Sequence, residues 1–386
     1  MNERDYNLLA DTVAVAIEAA YLDQIDDVTQ ALVIAEVVRA VENDDTDGIL
    51  ALMVGLLGFV AFTEAMRRAF LQGGQAQIDS IPRNSLARAI AASLDPSDGG
   101  RLVVTPQRPI LPGFLGQPIG PALPTWTQSG EFKQVPAKLS PVRPKIPPFN
   151  PRQPAAAEAI STAIDKAISD IQVAQRAAVS ETVAAGRAAG RTARQIALDV
   201  AGRVQAGGRR SGGVIGLGEG DAKWLLSTRA QLESGNPALL KQYLTRSLRD
   251  RRFDAAVRKA IESGKPVLAG VVDRAVGRYS DRLLRHRGEV LSQLSARQAI
   301  GAGRYQAIAQ LVDQGVLSES NIRKRWITEG DNKVREQHRA MDEQEKPLNQ
   351  PFVSPTGIQA MYPGDGSLNA PDSFRINCRC HVAYEL

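Results

Sequence analysis

Cysteine, histidine and aromatic residues are all scarce in this chain. Two cysteines in 386 residues exclude a disulfide framework. They stand one residue apart, at Cys378 and Cys380, where a bridge would be strained, so the sequence reads as that of a protein kept reduced. Aromatic residues make up 5% while alanine, leucine and valine are plentiful, which leans the chain toward helix. Apolar content of 43% and charged content of 23% are ordinary globular values and exclude wholesale disorder. No apolar stretch reaches the about eighteen residues that a spanning helix needs. The strongest run, "ILALMVGLLGFVAF" at Ile49–Phe62, predicts a buried helix and no permanent membrane span. A membrane-active helix is the lesser reading, because Arg67 and Arg68 follow and "AFL" continues the run. The opening "MNERDYNLLADT" is charged at once and lacks the apolar centre of a secretion signal.

Negative charge is also scarce, but only after the first hundred residues. Those carry sixteen Asp/Glu against six arginines, while the whole chain has a formal net charge of +5. Within Lys241–Arg304 there are fifteen Lys/Arg and six Asp/Glu. Such a split suits an acidic end that meets a basic or polar protein surface and a body that meets a polyanion. Arg249, Arg251, Arg252, Arg258, Lys259, Arg278, Arg285 and Arg287 are the candidate phosphate contacts, for weak and non-specific duplex DNA binding. No aromatics interleave these arginines as base-stacking platforms, so plain solvated helix faces account for them equally well.

The organisation is mainly α with a small C-terminal α+β module. Residues 1–100 read as helices, "DTVAVAIEAAYLDQI" and "VTQALVIAEVVRAVE", parted by acidic turns such as "ENDDTDG"; a further short helix falls in "NSLARAIAASLDPSDGG". Residues 101–154 hold a proline-rich extended arm, with thirteen of the twenty-two prolines between Pro106 and Pro154. It is too apolar for a free linker and is expected to lie along another surface. Residues 155–315 form a basic helical body, broken by "GGRRSGGVIGLGEGD", whose glycines read as a helix connection rather than a phosphate loop. Residues 316–386 change texture: "IRKRWIT" reads as a strand, "NKVREQHRAMD" as a helix, then hairpin signals, then a closing strand.

Alternation in the closing strand puts Ile376, Cys378, Cys380, Val382 and Tyr384 on one face and turns His381 to the other. Both thiols are therefore expected inside, under the helix that bears His338, and His381 outside. Cys378, Cys380 and His338 make a chemically sensible zinc set, with Asp342 as a guess for a fourth ligand, although C-x-C spacing departs from the usual C-x2–4-C. The leading expectation is two reduced thiols packed against the histidine without metal; zinc is the alternative. A cysteine nucleophile with His338 as base requires an accessible thiol, which this pattern denies. Asp331 reads as the cap of the helix at "DNKVRE".

The order W-x-T-x-G-D-x-x-V-R-x-x-H, a hairpin, a P-G-D loop and a terminal N-C-R-C resembles the phage head morphogenesis domain of the Mu F-like minor head protein family. The residues that carry the resemblance are Trp326, Thr328, Asp331, Arg335, His338, Phe352, Pro363, Asn377, Cys378, Arg379 and Cys380. The helical segments "GRTARQIALDV" and "ARQAIGAGRYQAI" are similar too, so the likeness spans roughly residues 155–386. Where the family often has a glycine at the turn after the histidine, Glu343 stands here, which puts that turn's geometry in question. The resemblance implies a minor capsid protein of a tailed phage, present in the head and, during assembly, in the host cytoplasm. Its implied partners are the portal or another head protein and packaged double-stranded DNA; its implied role is head assembly, with genome packaging or delivery. No catalytic residue is assigned. Some relatives carry a toxin domain after the module, and none is expected here. The competing reading is a nucleic-acid-processing or transferase enzyme built on the C-terminal module.

Overall fold

Apolar residues at three- and four-residue intervals give the first helix, α1 (Glu3–Ala31), one buried stripe: Tyr6, Ala10, Val13, Ile17, Tyr21, Ile25 and Val28. The computed structural model describes residues 3–54, 59–81, 146–205 and 207–386; the expected helix at residues 84–100 and most of the proline-rich arm lie outside the described residues. Of the described residues 65% are helical, with a few small antiparallel sheets toward the C-terminal end, a mainly-α fold with a small α+β module.

Helix α2 (Ile34–Glu42) ends in the expected acidic turn. Asp44 takes a left-handed φ of 58°, and Asp45 Oδ1 accepts from the Gly48 N–H at 2.6 Å at the start of α3 (Thr46–Val54). The apolar run Ile49–Phe62 is not one helix: Phe59 is left-handed at φ 42°, and α4 (Val60–Asp79) begins after it. Ile49, Leu50, Met53, Phe59 and Phe62 are nevertheless buried. Among the described residues no helix is long and apolar enough to cross a membrane.

The arm's last residues dock on this helical layer. Phe149 packs its ring 5.5 Å from that of Phe70, and the Asn150 backbone N–H and C=O pair with the Gln310 side-chain amide at 3.0 and 2.7 Å. Proline at the first helical position starts α5 (Pro154–Ala188), where its missing N–H costs nothing. A capping box of Thr192 and Gln195 starts α6 (Ala193–Ala201), and Gly202 ends it. A hairpin of β1 (Arg203–Val204) and β2 (Arg210–Ser211) follows, and the glycine-rich stretch then leads into α7 (Glu219–Glu233), α8 (Pro237–Thr245) and α9 (Asp254–Ser263).

The axis is α10 (Ala269–Asp313), 45 residues long. Its first half shares an apolar cluster with α7, α8 and α9, through Val276 and Tyr279 against Leu225, Leu240 and Val257. Its second half lies in the main cluster with α1, α4, α5 and α6, and residues 294–304 are all buried. Two close approaches explain the glycines here. A Cβ on Gly303 would stand 2.1 Å from the Phe70 carbonyl oxygen, and one on Gly73 would stand 2.6 Å from that of Ile300. Helices α4 and α10 thus touch backbone to backbone.

The acidic and basic halves of the sequence meet inside the molecule. Asp44 pairs with Arg187, Asp47 with Arg176, Asp26 with Arg209 at 2.8 Å, and Asp11 with Arg297 at 3.7 Å. Part of the charge asymmetry is therefore internal complementarity rather than an offer to a partner, although exposed pairs such as these contribute little each.

The C-terminal module is a three-stranded antiparallel sheet, order β4 (Glu345–Pro347), β3 (Arg323–Ile327), β7 (His381–Glu385), with Trp326 opposite Val382 and Ile327 opposite His381. A two-stranded ladder, β5 (Phe352–Val353) and β6 (Gln359–Ala360), and the short helices α11 (Glu336–Arg339) and α12 (Asp372–Arg375) close it. Arg304 of α10 reaches into the seam between module and helices: its Nε donates to Gln77 Oε1 at 2.9 Å and its Nη2 to the Val382 carbonyl at 2.8 Å.

Candidate functional site

Trp326 is fully buried at the centre of the module, and the motif residues assemble around it. Its backbone N–H donates to the Gln344 carbonyl at 3.0 Å, and its carbonyl accepts from the Glu343 N–H at 2.9 Å. That turn needs a left-handed residue, and Glu343 supplies it at φ 61°, a conformation glycine would adopt at lower cost. The expected helix over residues 332–342 shrinks to the four residues of α11, which still carry His338 inward. Its ring meets Phe374 at 4.3 Å and Trp326 at 5.6 Å, both edge to face. Asp331 does not cap that helix. It accepts from the Lys333 N–H at 2.9 Å and binds Arg379 Nη2 through both oxygens at 2.6 and 2.7 Å, and this pairing holds the Asp331 carboxyl below its usual range.

The closing segment is not a single strand. Residues 372–375 form a helical turn, Asn377 turns left-handed at φ 56°, and β7 begins only at His381. Asparagine tolerates this conformation, which strand alternation does not anticipate. Arg335 steadies the turn by donating to the Ile376 carbonyl. Both thiols end up buried under His338, as expected, but they are placed there by this turn.

Cys378 Sγ and Cys380 Sγ each lie 3.5 Å from His338 Nδ1, and the three ligand atoms lie within 4.8 Å of one another. The hydrogen bond from Cys380, then the pull of His338, draws the Cys378 thiol well below the ordinary cysteine range against the opposing effect of burial. Cys380 in turn holds its proton more tightly, because of its bond to Cys378 and because it is desolvated.

The arrangement fits three corners of a metal site. Tetrahedral zinc with Zn–S about 2.3 Å and Zn–N about 2.0 Å separates sulfur from nitrogen by roughly 3.5 Å. A fourth corner is missing: no further His, Cys, Asp or Glu joins the set among the described residues. Asp342 does not join the set, and its Oδ1 accepts from the Thr328 N–H at 2.8 Å. His338 Nε2 is buried without a partner, whereas a metal-bound histidine ordinarily donates its second nitrogen to an acceptor. A cysteine nucleophile fares no better, because Cys378, Cys380 and His338 are all buried.

His381 requires a correction. It does turn away from the thiols, but not to solvent: the His381 ring is buried and stacks on Tyr6 of α1 at 5.7 Å. Burial, then the charge of Arg304, pushes its pKa down to about 4, with Glu329 opposing and Arg297 adding to the depression. Lys324 is a second buried titratable group that the sequence analysis did not single out. Its Nζ donates to the Met361 carbonyl at 3.0 Å and lies near the rings of Phe352 and Tyr305, and desolvation lowers its pKa to about 7. Its place on the same strand face as Trp326 was the available signal.

The candidate phosphate contacts differ in exposure and pairing. Arg249 is held bidentate by Asp254 at 3.0 Å, and Arg252 by Asp250 at 2.5 Å. Arg287 is half-buried beside Gly218. Arg251, Arg258 and Lys259 are exposed around the start of α9, while Arg278 and Arg285 project from α10 into a cleft that Arg252 also lines. Comparison with known proteins returns no match: no family model, no curated protein and no solved structure.

Two outcomes follow from the module's interior. Cys378→Ala is expected to cost about 1–3 kcal/mol through lost packing, and chelator treatment to leave the melting temperature unchanged. One zinc per chain by elemental analysis, lost in Cys378→Ala, Cys380→Ala and His338→Ala alike, would overturn the metal-free expectation. For His381, the unfolded chain, with a pKa near about 6.5, binds more protons than the folded one as the pH falls from there to about 4. Its stabilising contribution is therefore complete above that window and is lost through it, on the order of 2–3 kcal/mol. His381→Phe keeps the stacking and should flatten the acid side of the stability curve, measured by thermal melts at pH 7.5, 6 and 4.5. Parallel curves for the two proteins would refute this.

Proposed function

We propose that this chain is a structural, non-catalytic component of a tailed-phage head: a minor capsid protein that sits against the portal or another head protein and touches packaged double-stranded DNA without sequence preference. The observation that carries the reading is the convergence of the motif. Trp326, His338, Phe352, Cys378 and Cys380 all enter one closed core, with Arg335 and the Asp331–Arg379 pair fastening its loops. Residues spread over more than fifty positions that serve a common core define a folding module. Its chemically versatile groups are enclosed, which argues against the enzyme reading and in favour of an assembly role.

DNA contact rests on the exposed cations of the body, Arg251, Arg258 and Lys259 foremost, which have no strong carboxylate partner among the described residues; the nearest, Asp254 to Arg258, stands at 4.0 Å. About four phosphate contacts imply that duplex affinity falls about 10²-fold between 50 and 200 mM salt. The acidic N-terminal helices cannot be removed to test partner contact, because α1 and α4 supply much of the main core. The test is instead on particles and on the intact chain. Mass-spectrometric counting should find a few copies per purified head, salt titration should show the steep loss of duplex binding, and incubation with DNA or RNA and magnesium or zinc should give no turnover. Absence from the particles, or turnover abolished by His338→Ala, would overturn the proposal.

A further inference from the structure

A cleft of about 710 Å³ opens between α1, the β1–β2 hairpin and the first half of α10. The close packing of glycines shapes it. Gly212, at φ 83°, leaves room for only 3.3 Å between a Cβ and the Gly277 Cα, and a Cβ on Gly277 would stand 2.7 Å from Ser211 Oγ. The hairpin is thus seated directly on α10. It is pinned to α1 as well, by Arg209 on Asp26 and by the Arg210 N–H donating to Gln30 Oε1 at 3.1 Å.

This seating gathers Arg209, Arg210, Arg252, Arg274, Arg278 and Arg285 around one opening, against only two carboxylates, Asp26 and Asp281. Arg209 and Arg252 are occupied by acids, and Arg278 stands 3.7 Å from Asp281. Arg274 and Arg285 are exposed and form no ion pair among the described residues, and Arg210 makes only a 3.5 Å contact to the Gly202 carbonyl. The inner wall is apolar, built from Leu22, Ile25, Leu284 and Phe253. Several unsatisfied guanidinium groups over an apolar wall suit a ligand that joins phosphate to a flat, weakly polar ring. The volume lies in the range of small-molecule sites, roughly 300–1,000 Å³, and is too small to admit a duplex.

We propose that this cleft is a nucleotide site, with phosphate held on Arg210, Arg274, Arg278 and Arg285 and the base against the apolar wall. The ligand is either a free nucleotide or one unit of a single strand. The site goes beyond the head-protein reading and stands on its own observations.

Calorimetry on the full chain at low salt, with ATP, a short oligothymidylate, inorganic phosphate and a duplex as probes, tests it. ATP and the oligomer should compete for one site per chain, each at least about 10-fold tighter than phosphate, because the wall adds to the charge contacts. Arg274→Ala/Arg285→Ala should weaken both about 10²-fold, with an unchanged melting temperature. Arg251→Ala/Lys259→Ala should weaken the duplex and leave ATP binding unchanged, so that failure of the duplex reading and failure of this one are told apart. A tighter oligomer assigns the site to single strands, and tighter ATP assigns it to free nucleotides. No binding of either, binding indifferent to the Arg274/Arg285 variant, phosphate as tight as ATP, or displacement of ATP by polyglutamate at the oligomer's affinity would each overturn the proposal.

Discussion

A buried arginine with no carboxylate beside it among the described residues governs this structure. Arg304 is 2% exposed, and among those residues its charge is met by the Gln77 amide, the Val382 carbonyl and the faces of Tyr6 and Tyr384 at 5.2 and 5.6 Å. Desolvation lowers its pKa, which records how little compensates the charge. A cation in that position is tolerated only while every one of those groups stays in place. They come from α4, β7 and α1, so one side chain ties the N-terminal helices to the C-terminal module. The neighbouring Gly303 lets α4 approach closely enough for Gln77 to reach it.

The same seam determines what the module presents outward. With His381 stacked on Tyr6 of α1 on one side and Val382 packed with Trp326 and Phe374 on the other, the start of β7 is dry on both faces, and the two thiols are sealed in. The groups best able to do chemistry are thereby spent on structure. What remains accessible is charge: the exposed cations near α9, and the arginine-rimmed cleft between α1 and α10. Since several N-terminal acids already pair with arginines of the body, the unpaired cations are a remainder rather than the whole of the basic count.

Much of the helical architecture was legible because it is local. The apolar stripe in "DTVAVAIEAAYLDQI" and the turn at "ENDDTDG" each follow from spacing or from local composition. The misreadings are all non-local or conformational. Phe59 and Asn377 take left-handed backbones that composition does not announce for these positions, so one apolar run became two helices and one strand became a turn and a strand. Alternation showed that His381 and Cys380 face opposite ways, but not that a helix more than three hundred residues earlier packs against His381. Arg304 counted as wet-face charge because nothing in its neighbourhood tells a buried cation from an exposed one, and Lys324 was not singled out although it shares a strand face with Trp326. The thiol–histidine cluster was legible as a set, while its missing fourth corner became visible only in three dimensions.

The coupling through Arg304 is tested most directly by native-state hydrogen exchange on Arg304→Met compared with the unaltered chain. The account predicts a loss of about 3 kcal/mol or more, because Gln77 and the Val382 carbonyl lose their buried donor, with protection falling together in α1, α4 and β7. A loss under about 1 kcal/mol, or one confined to α10 while β7 keeps its full protection, would contradict it.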